Sequence, residues 1–312
     1  MKTVNSALVV LACLAGAVAQ AASPTLERVN ASGVLRVGTP GDYRPYSDRD
    51  TSVEAWRGSD VELVRGLAAH LGVSLEFVPT NWANLMTDYA AGRFDMAVGG
   101  ISITPERRSM ASFSDAVAVD GKTALALCSK VSSLDQLREL DRRSVTVIVN
   151  PGGTNERFAR ERLPRAKLIV HRDNLTVFDE VVQGRADAMI TDGVEATLQQ
   201  RAHPGVLCAA HPDKPFDRAS KAFLLPKDGV FNETVDDWLD AERKRGELAK
   251  VQQRWIDAPW QPGSRLLALI DARLAVMSDV ARAKWNSGAP IEDTARETEL
   301  LSALVRQGEA LG

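Results

Sequence analysis

Arg107 stands just after the tight turn Ser102-Ile103-Thr104-Pro105, which follows a short apolar stretch at 96–98. A guanidinium so placed can hold a carboxylate through two parallel hydrogen bonds, with Ser102 and Thr104 adding hydroxyl or backbone donors. Taken alone, the residues favour a blander arrangement, a surface salt bridge from Arg107 to Glu106 or Asp115. Gly152, Gly153 and Thr154 lie between a predicted strand and a predicted helix, so their amides open that helix and favour an anion there. An ordinary glycine-rich turn is the alternative. Glu156 follows in the first helical turn. It either answers the helix dipole as an ionised acid or, inside a closed apolar cleft that raises its pKa, donates a proton. The chain holds no G-x-S-x-G elbow, no H-E-x-x-H pair and no G-x-G-x-x-G turn, so hydrolase, zincin and dinucleotide readings have no motif support. Four His and three Cys are a poor basis for a zinc or iron–sulfur cage; no metal and no cofactor is expected.

The elements that carry these groups alternate. Residues 34–37 read as a strand and 59–71 as a helix, with Val61, Leu63, Val64, Leu67, Ala68 and Leu71 at helical spacing. A strand at 75–78, a helix at 82–91 stopped by Gly92, and a strand at 96–98 follow. That order predicts an α/β unit with a largely parallel sheet. The plan recurs with strands at 145–149, 167–170 and 188–190 and helices at 155–162 and 175–183. Both halves carry G-R-x-D before a short apolar strand, at 92–95 and 184–187, so two similar lobes are expected. A first crossing starts near 121–127 and a return near 211–216, after which 221–225 reads as a strand and 233–250 as a helix. Lobe 1 is drawn as 23–120 plus 217–260 and lobe 2 as 121–216. Two crossings leave a cleft between the lobes, and ligands favour such clefts.

The 312 residues suit about two domains. Lys plus Arg is 38 and Asp plus Glu 41, a net charge of −3 that gives no basis for a nucleic-acid partner. Residues 1–22 hold one Lys, an apolar run at 7–19 and an Ala19-Gln20-Ala21 cleavage pattern. They read as an export signal too short to span a bilayer, so no membrane insertion is expected after its removal. Export makes Cys128 and Cys208 a candidate disulfide, closing a loop of about 80 residues for about 4 kcal/mol of loop-closure entropy. Two buried free thiols are the alternative. Oligomeric state is left open.

Gly38-Thr39 with Tyr43-x-Pro45-Tyr46, Gly58-x-Asp60-Val61-Glu62-Leu63, and Ser102-Ile103-Thr104-Pro105-Glu106-Arg107 followed by Phe113-Ser114 resemble the periplasmic amino-acid-binding proteins over residues 32–257. The implied fold is α/β, the two-lobed periplasmic-binding-protein type II fold, here with a short α-helical C-terminal appendage. Within that fold, N-W-x-N-L-M at 81–86, D-G-K-T at 120–123, V-N-P-G-G-T-N-E at 149–156 and T-D at 191–192 resemble the cyclohexadienyl dehydratases. That resemblance implies a periplasmic enzyme with a small-molecule substrate. Prephenate would lose its ring hydroxyl and carbon dioxide to give phenylpyruvate, and arogenate would give phenylalanine.

The same resemblance implies roles. Arg107 would hold a substrate carboxylate, Gly153, Thr154 and Asn155 would lie in the substrate motif, and Glu156 would be the general acid. Tyr43, Tyr46, Trp82, Ser102 and Thr104 fall where the fold lines its cleft. Lys122, at the first crossing, either meets an anion or faces solvent. Asp192 matches the acid that receives an amino group in amino-acid binders, a purpose arogenate has and prephenate lacks. The cysteine pair sits where these enzymes have cysteines. The alternative function is an amino-acid solute-binding protein of an ABC importer.

Residues 258–264, A-P-W-Q-P-G-S, read as a boundary. Beyond it, 265–312 resembles the start of the all-α chorismate mutases, a partial mutase-like segment. Arg273 and Lys284 are three helical turns and roughly 16 Å apart on one face, which suits a dicarboxylate. Asp293, Arg296 and Glu297 match the acid-x-x-Arg-Glu opening of the second helix. A dehydratase–mutase fusion is implied, one activity making the prephenate that the other consumes; mutase activity itself is left open.

Overall fold

The computed structural model describes residues 22–51, 55–258, 260 and 298. The expected export signal, but for its last residue, lies outside them, as do the mutase-like Arg273, Lys284, Asp293, Arg296 and Glu297. The chain divides into Met1–Asp257 and Ala258–Gly312, and the fold below is that of the first unit.

Two five-stranded sheets carry it. The first runs Ser74–Pro79, Val34–Thr39, Met96–Ala97, Leu224–Leu225, Ser112–Phe113. The second runs Lys167–Val170, Thr146–Val149, Ala188–Asp192, Lys122–Leu127, Leu207–Ala210. In each, the first three strands are parallel, as the strand–helix alternation predicts. The strands after the crossings run the other way: Leu224–Leu225 is antiparallel to Met96–Ala97, and Lys122–Leu127 to Ala188–Asp192. The sheets are therefore mixed, not largely parallel.

The duplicated G-R-x-D has one physical purpose. Gly92 and Gly184 end their helices at φ 67° and 71°, a conformation that favours glycine. Three residues on, the Asp95 carboxylate accepts the Arg36 amide and the Asp187 carboxylate accepts the Thr146 amide, each at 2.9 Å. In both halves the motif thus ties a helix stop to the middle one of the three parallel strands in its sheet.

Two expected elements differ. The strand at 221–225 is two strands, Ala219–Lys221 and Leu224–Leu225, in different sheets. Between them Ala222 bonds to the Ile101 carbonyl and Phe223 to the Ser114 hydroxyl, carrying the chain from one sheet to the other. The helix at 233–250 starts earlier, at Gly229 with Asp228 capping Phe231, and breaks at Gly246 (φ 75°) before Glu247–Asp257.

The crossings pair with each other. Ala118–Asp120 and Ala219–Lys221 form a two-stranded antiparallel ribbon. Gly121, next along the first crossing, lies so close to the return that a Cβ would meet the Asp217 carbonyl oxygen at 1.9 Å. Only glycine fits there. Leu35, Val37, Leu67, Phe223, Phe231 and Trp238 pack one core, and Val147, Val149, Phe158 and Ile190 another.

Cys128 and Cys208 form the expected disulfide, Cα–Cα 4.7 Å, beside the paired strands Lys122–Leu127 and Leu207–Ala210. Its loss, by reduction or by Cys128→Ser with Cys208→Ser, is expected to lower unfolding stability by about 2–4 kcal/mol. Urea unfolding with and without reductant measures this; coincident midpoints would deny the bond that role.

Candidate active site

A narrow cleft lies between the sheets, and a wider basin adjoins it at Trp82, Arg107, Gly153 and Thr154. Tyr43, Trp82, Ser102 and Arg107 line the cleft from one side, and Gly153, Thr154, Asn155 and Asp192 from the other. Tyr46, Thr104, Lys122 and Glu156, also expected at the site, do not line it.

Thr104 caps the helix Pro105–Met110, its hydroxyl accepting the Arg107 amide, and faces the outer basin. Arg107 occupies the first turn of that helix and is only 8% exposed. Its Nη1 donates to the Ser102 carbonyl at 2.8 Å, and no carboxylate among the described residues lies within ion-pair reach. Glu106 instead pairs with Arg157, so the simple surface-bridge reading of Arg107 does not hold. Burial, with the nearby Arg157 cation, pulls the Arg107 pKa down to about 10. A buried guanidinium without a carboxylate partner can receive an anion.

Tyr43 and Trp82 meet edge to face, ring centres 5.8 Å apart, and Trp82 donates to Asp42 at 2.9 Å. Tyr46 packs behind Tyr43 at 5.1 Å. Both tyrosines fill the space a side chain at Gly100 would need. Tyr46 therefore supports the wall rather than forming it.

The helix Thr154–Arg162 begins without a side-chain cap, which leaves its first amides at the cleft. Gly152 (φ 71°) sits so near Ala83 that a Cβ would come within 2.5 Å of its Cα, so this turn and the Trp82 segment are in direct contact. Glu156 is turned away. Its carboxylate accepts the Gly152 amide at 2.7 Å and is gripped by Arg160 from the next helical turn. The amide bond first, then Arg160, hold its pKa below the usual value against partial desolvation. An ionised, paired carboxylate is a poor proton donor, so the surroundings of Glu156 do not favour the role expected for it.

Lys122 is 3% exposed, so it does not face solvent. Its ammonium donates to Asp192 at 2.7 Å and to the Asn155 side chain. The other Asp192 oxygen accepts Lys221 at 2.6 Å and the Tyr43 hydroxyl. Burial alone would raise the Asp192 pKa; the two lysine cations outweigh it and hold the group ionised.

Two ionisable cleft residues escape the motif reading. Lys221 comes from the return crossing, fully buried, and also donates to the Ser102 hydroxyl at 2.9 Å. Glu195 lies in the first turn of the helix Gly193–Ala202, 3% exposed, with the Thr191 hydroxyl donating to it. Burial, then the neighbouring Asp192 and Asp42 charges, push its pKa up to about 8 despite that bond. At neutral pH this carboxyl keeps its proton. The Asp120 carboxylate, on the first crossing, accepts the Gly193 and Val194 amides at 3.0 Å and so fixes the start of the Glu195 helix.

The comparisons with known proteins agree with this architecture. Residues 35–258 match the bacterial extracellular solute-binding proteins, family 3, and residues 264–312 match chorismate mutase type II. The chain is 49% identical to the cyclohexadienyl dehydratase of Pseudomonas aeruginosa over 254 residues, 81% of this chain and 94% of that one. It is 26% identical to the L-cystine-binding protein TcyJ of Escherichia coli over 75% of this chain and 86% of that one. Among solved structures, an ancestral amino acid-binding protein described as a precursor of cyclohexadienyl dehydratase superposes with a TM-score of 0.69 at 34% identity, covering 75% of this chain and all of the other.

Proposed function

The chain belongs to the cyclohexadienyl dehydratases, carbon–oxygen lyases built on the family 3 solute-binding fold, and we propose that its cleft dehydrates and decarboxylates prephenate, with Glu195 as proton donor. One observation carries the reading: a buried carboxyl with a pKa near 8 faces the same cleft as a buried arginine that has no carboxylate partner.

The chemistry needs both. The ring hydroxyl of prephenate is a poor leaving group as hydroxide. Proton transfer from Glu195 to that oxygen lets it leave as water. The ring carboxylate departs as carbon dioxide, and its bonding electrons enter the ring, which becomes aromatic. Phenylpyruvate, water and carbon dioxide are the products, and Glu195 regains its proton from solvent. A positioned general acid contributes roughly 10²–10⁴-fold. Arg107 holds the carboxylate that stays, because a cation gripping the departing one would oppose the charge flow. Tyr43 and Trp82 flank the ring. Arogenate, with an amino acid in place of the keto acid, undergoes the same elimination to phenylalanine. We place the enzyme in the periplasm, in keeping with the extracellular family; no described helix is long and apolar enough to cross a membrane.

The test is release of phenylpyruvate from prephenate as a function of pH. The donor is active while protonated, so kcat/KM is expected to be flat below the Glu195 pKa of about 8 and to fall tenfold per unit above it. A profile that rises through pH 8 would assign the step to a base instead. Folded protein without turnover would withdraw the dehydratase reading.

A further inference from the structure

We propose that Lys221 sets which side chain the cleft accepts, favouring a substrate that ends in an α-keto acid over its α-amino counterpart. The inference rests on the dehydratase reading and names its preferred substrate, prephenate before arogenate.

Arg107 and Lys221 are joined through one residue. Arg107 donates to the Ser102 carbonyl and Lys221 to the Ser102 hydroxyl. A carboxylate held by Arg107 therefore puts its α-substituent beside the Lys221 ammonium. An ammonium has three hydrogens to donate and no lone pair. Lys221 spends one on Ser102 and one on Asp192, and among the described residues the third has no acceptor. A keto oxygen accepts that hydrogen. An α-ammonium is itself donor-only and cationic, so it brings like charge against Lys221.

An ammonium would need Asp192, the one ionised acid on the cleft wall. Its oxygens are already taken: one by Lys122, the other by Lys221 and the Tyr43 hydroxyl. Lys221 also lies 5.2 Å over the Tyr43 ring, so the lysine is held on two sides. The chain thus supplies internally the cation that an amino-acid ligand would bring. An amine must displace Lys221 from Asp192, leaving Asp60 and Asp120, both beyond ion-pair reach of the lysine, to offset its charge, whereas a ketone displaces nothing.

Two measurements decide it. kcat/KM for prephenate is expected to exceed that for arogenate by roughly tenfold or more, since like charges brought together in a site cost at least that much. Calorimetry with phenylpyruvate and L-phenylalanine reads the same choice without turnover, with the keto acid at least about tenfold tighter. Lys221→Gln removes the cation and leaves Lys122 on Asp192; both ratios should fall towards unity or reverse, while Lys221→Arg keeps the keto preference. Parity in the unaltered protein overturns the inference whatever the variants do, as does an unchanged ratio in folded Lys221→Gln. Keto-selective binding without turnover of either substrate would sink the dehydratase reading and leave the role of Lys221 standing.

Discussion

Glu195→Gln is expected to lower kcat for prephenate by roughly 10²–10⁴-fold, the usual worth of a positioned acid. The amide has the shape of the acid and still accepts from Thr191, but has no proton to give. The same change should make the protein more resistant to unfolding at alkaline pH. The folded Glu195 pKa of about 8 lies above the ordinary 4.5. Between those values the folded state keeps a proton that the unfolded chain has released. Stability is therefore lost as pH rises from 4.5 to 8, and above 8 the full cost of a buried charge is present. Glutamine removes that cost, of the order of a few kcal/mol, at pH 9 and changes little at pH 4. Urea unfolding at both pH values, beside prephenate turnover, tests the two halves together. Glu156→Gln is the contrast. Its carboxylate serves the Gly152 turn and Arg160, so turnover should stay within about threefold. If Glu156→Gln abolished turnover and Glu195→Gln spared it, the acid would be reassigned.

Why did the motif point to Glu156 when the donor proposed here is Glu195? Both are acids in the first turn of a helix that follows a buried strand. In that respect they are equivalent in sequence. What separates them is the next turn: Arg160 stands four residues after Glu156, and Gln199 four after Glu195. A cation at that spacing meets the acid on the helix surface and keeps it ionised. Its absence leaves Glu195 to be buried neutral. The signal was therefore present at short range, hidden behind the more conspicuous glycine motif.

Lys221 had no such signal. Its site partners, Ser102 and Asp192, are 119 and 29 residues away in sequence. It reaches them only because the return crossing pairs with the outgoing one, a long-range fact that periodicity cannot express. The lobes were legible for the opposite reason. Helix stops at Gly92 and Gly184 and the acids three residues later act locally, and each half writes them out again. Arg107 lies between these cases. The turn that positions it is local, but its burial away from Glu106 depends on Arg157 taking that acid.

Arg107→Leu should abolish ligand binding while leaving the empty protein as stable as before or more so. These effects have one cause. Arg107 is 8% exposed, its guanidinium has one backbone acceptor and no carboxylate, and burial has already drawn its pKa down to about 10. Without ligand, the fold carries a desolvated cation that it does not neutralise, and an apolar side chain of similar reach relieves that cost. With ligand, the same desolvation makes the ion pair strong. Its loss should lower kcat/KM by about 10²–10³-fold, or about 3–4 kcal/mol. Arg107→Lys keeps the charge but not the planar fork, and should fall between the two. Thermal unfolding separates these effects from simple damage. Phenylpyruvate at a hundred times its Kd should stabilise the unaltered protein by about 2.7 kcal/mol and Arg107→Leu not at all. A variant that still shifts with phenylpyruvate would move the carboxylate site to the open amides of Gly153 and Thr154. A variant less stable when empty would make Arg107 a structural support of the Ser102 turn, with binding only its second duty.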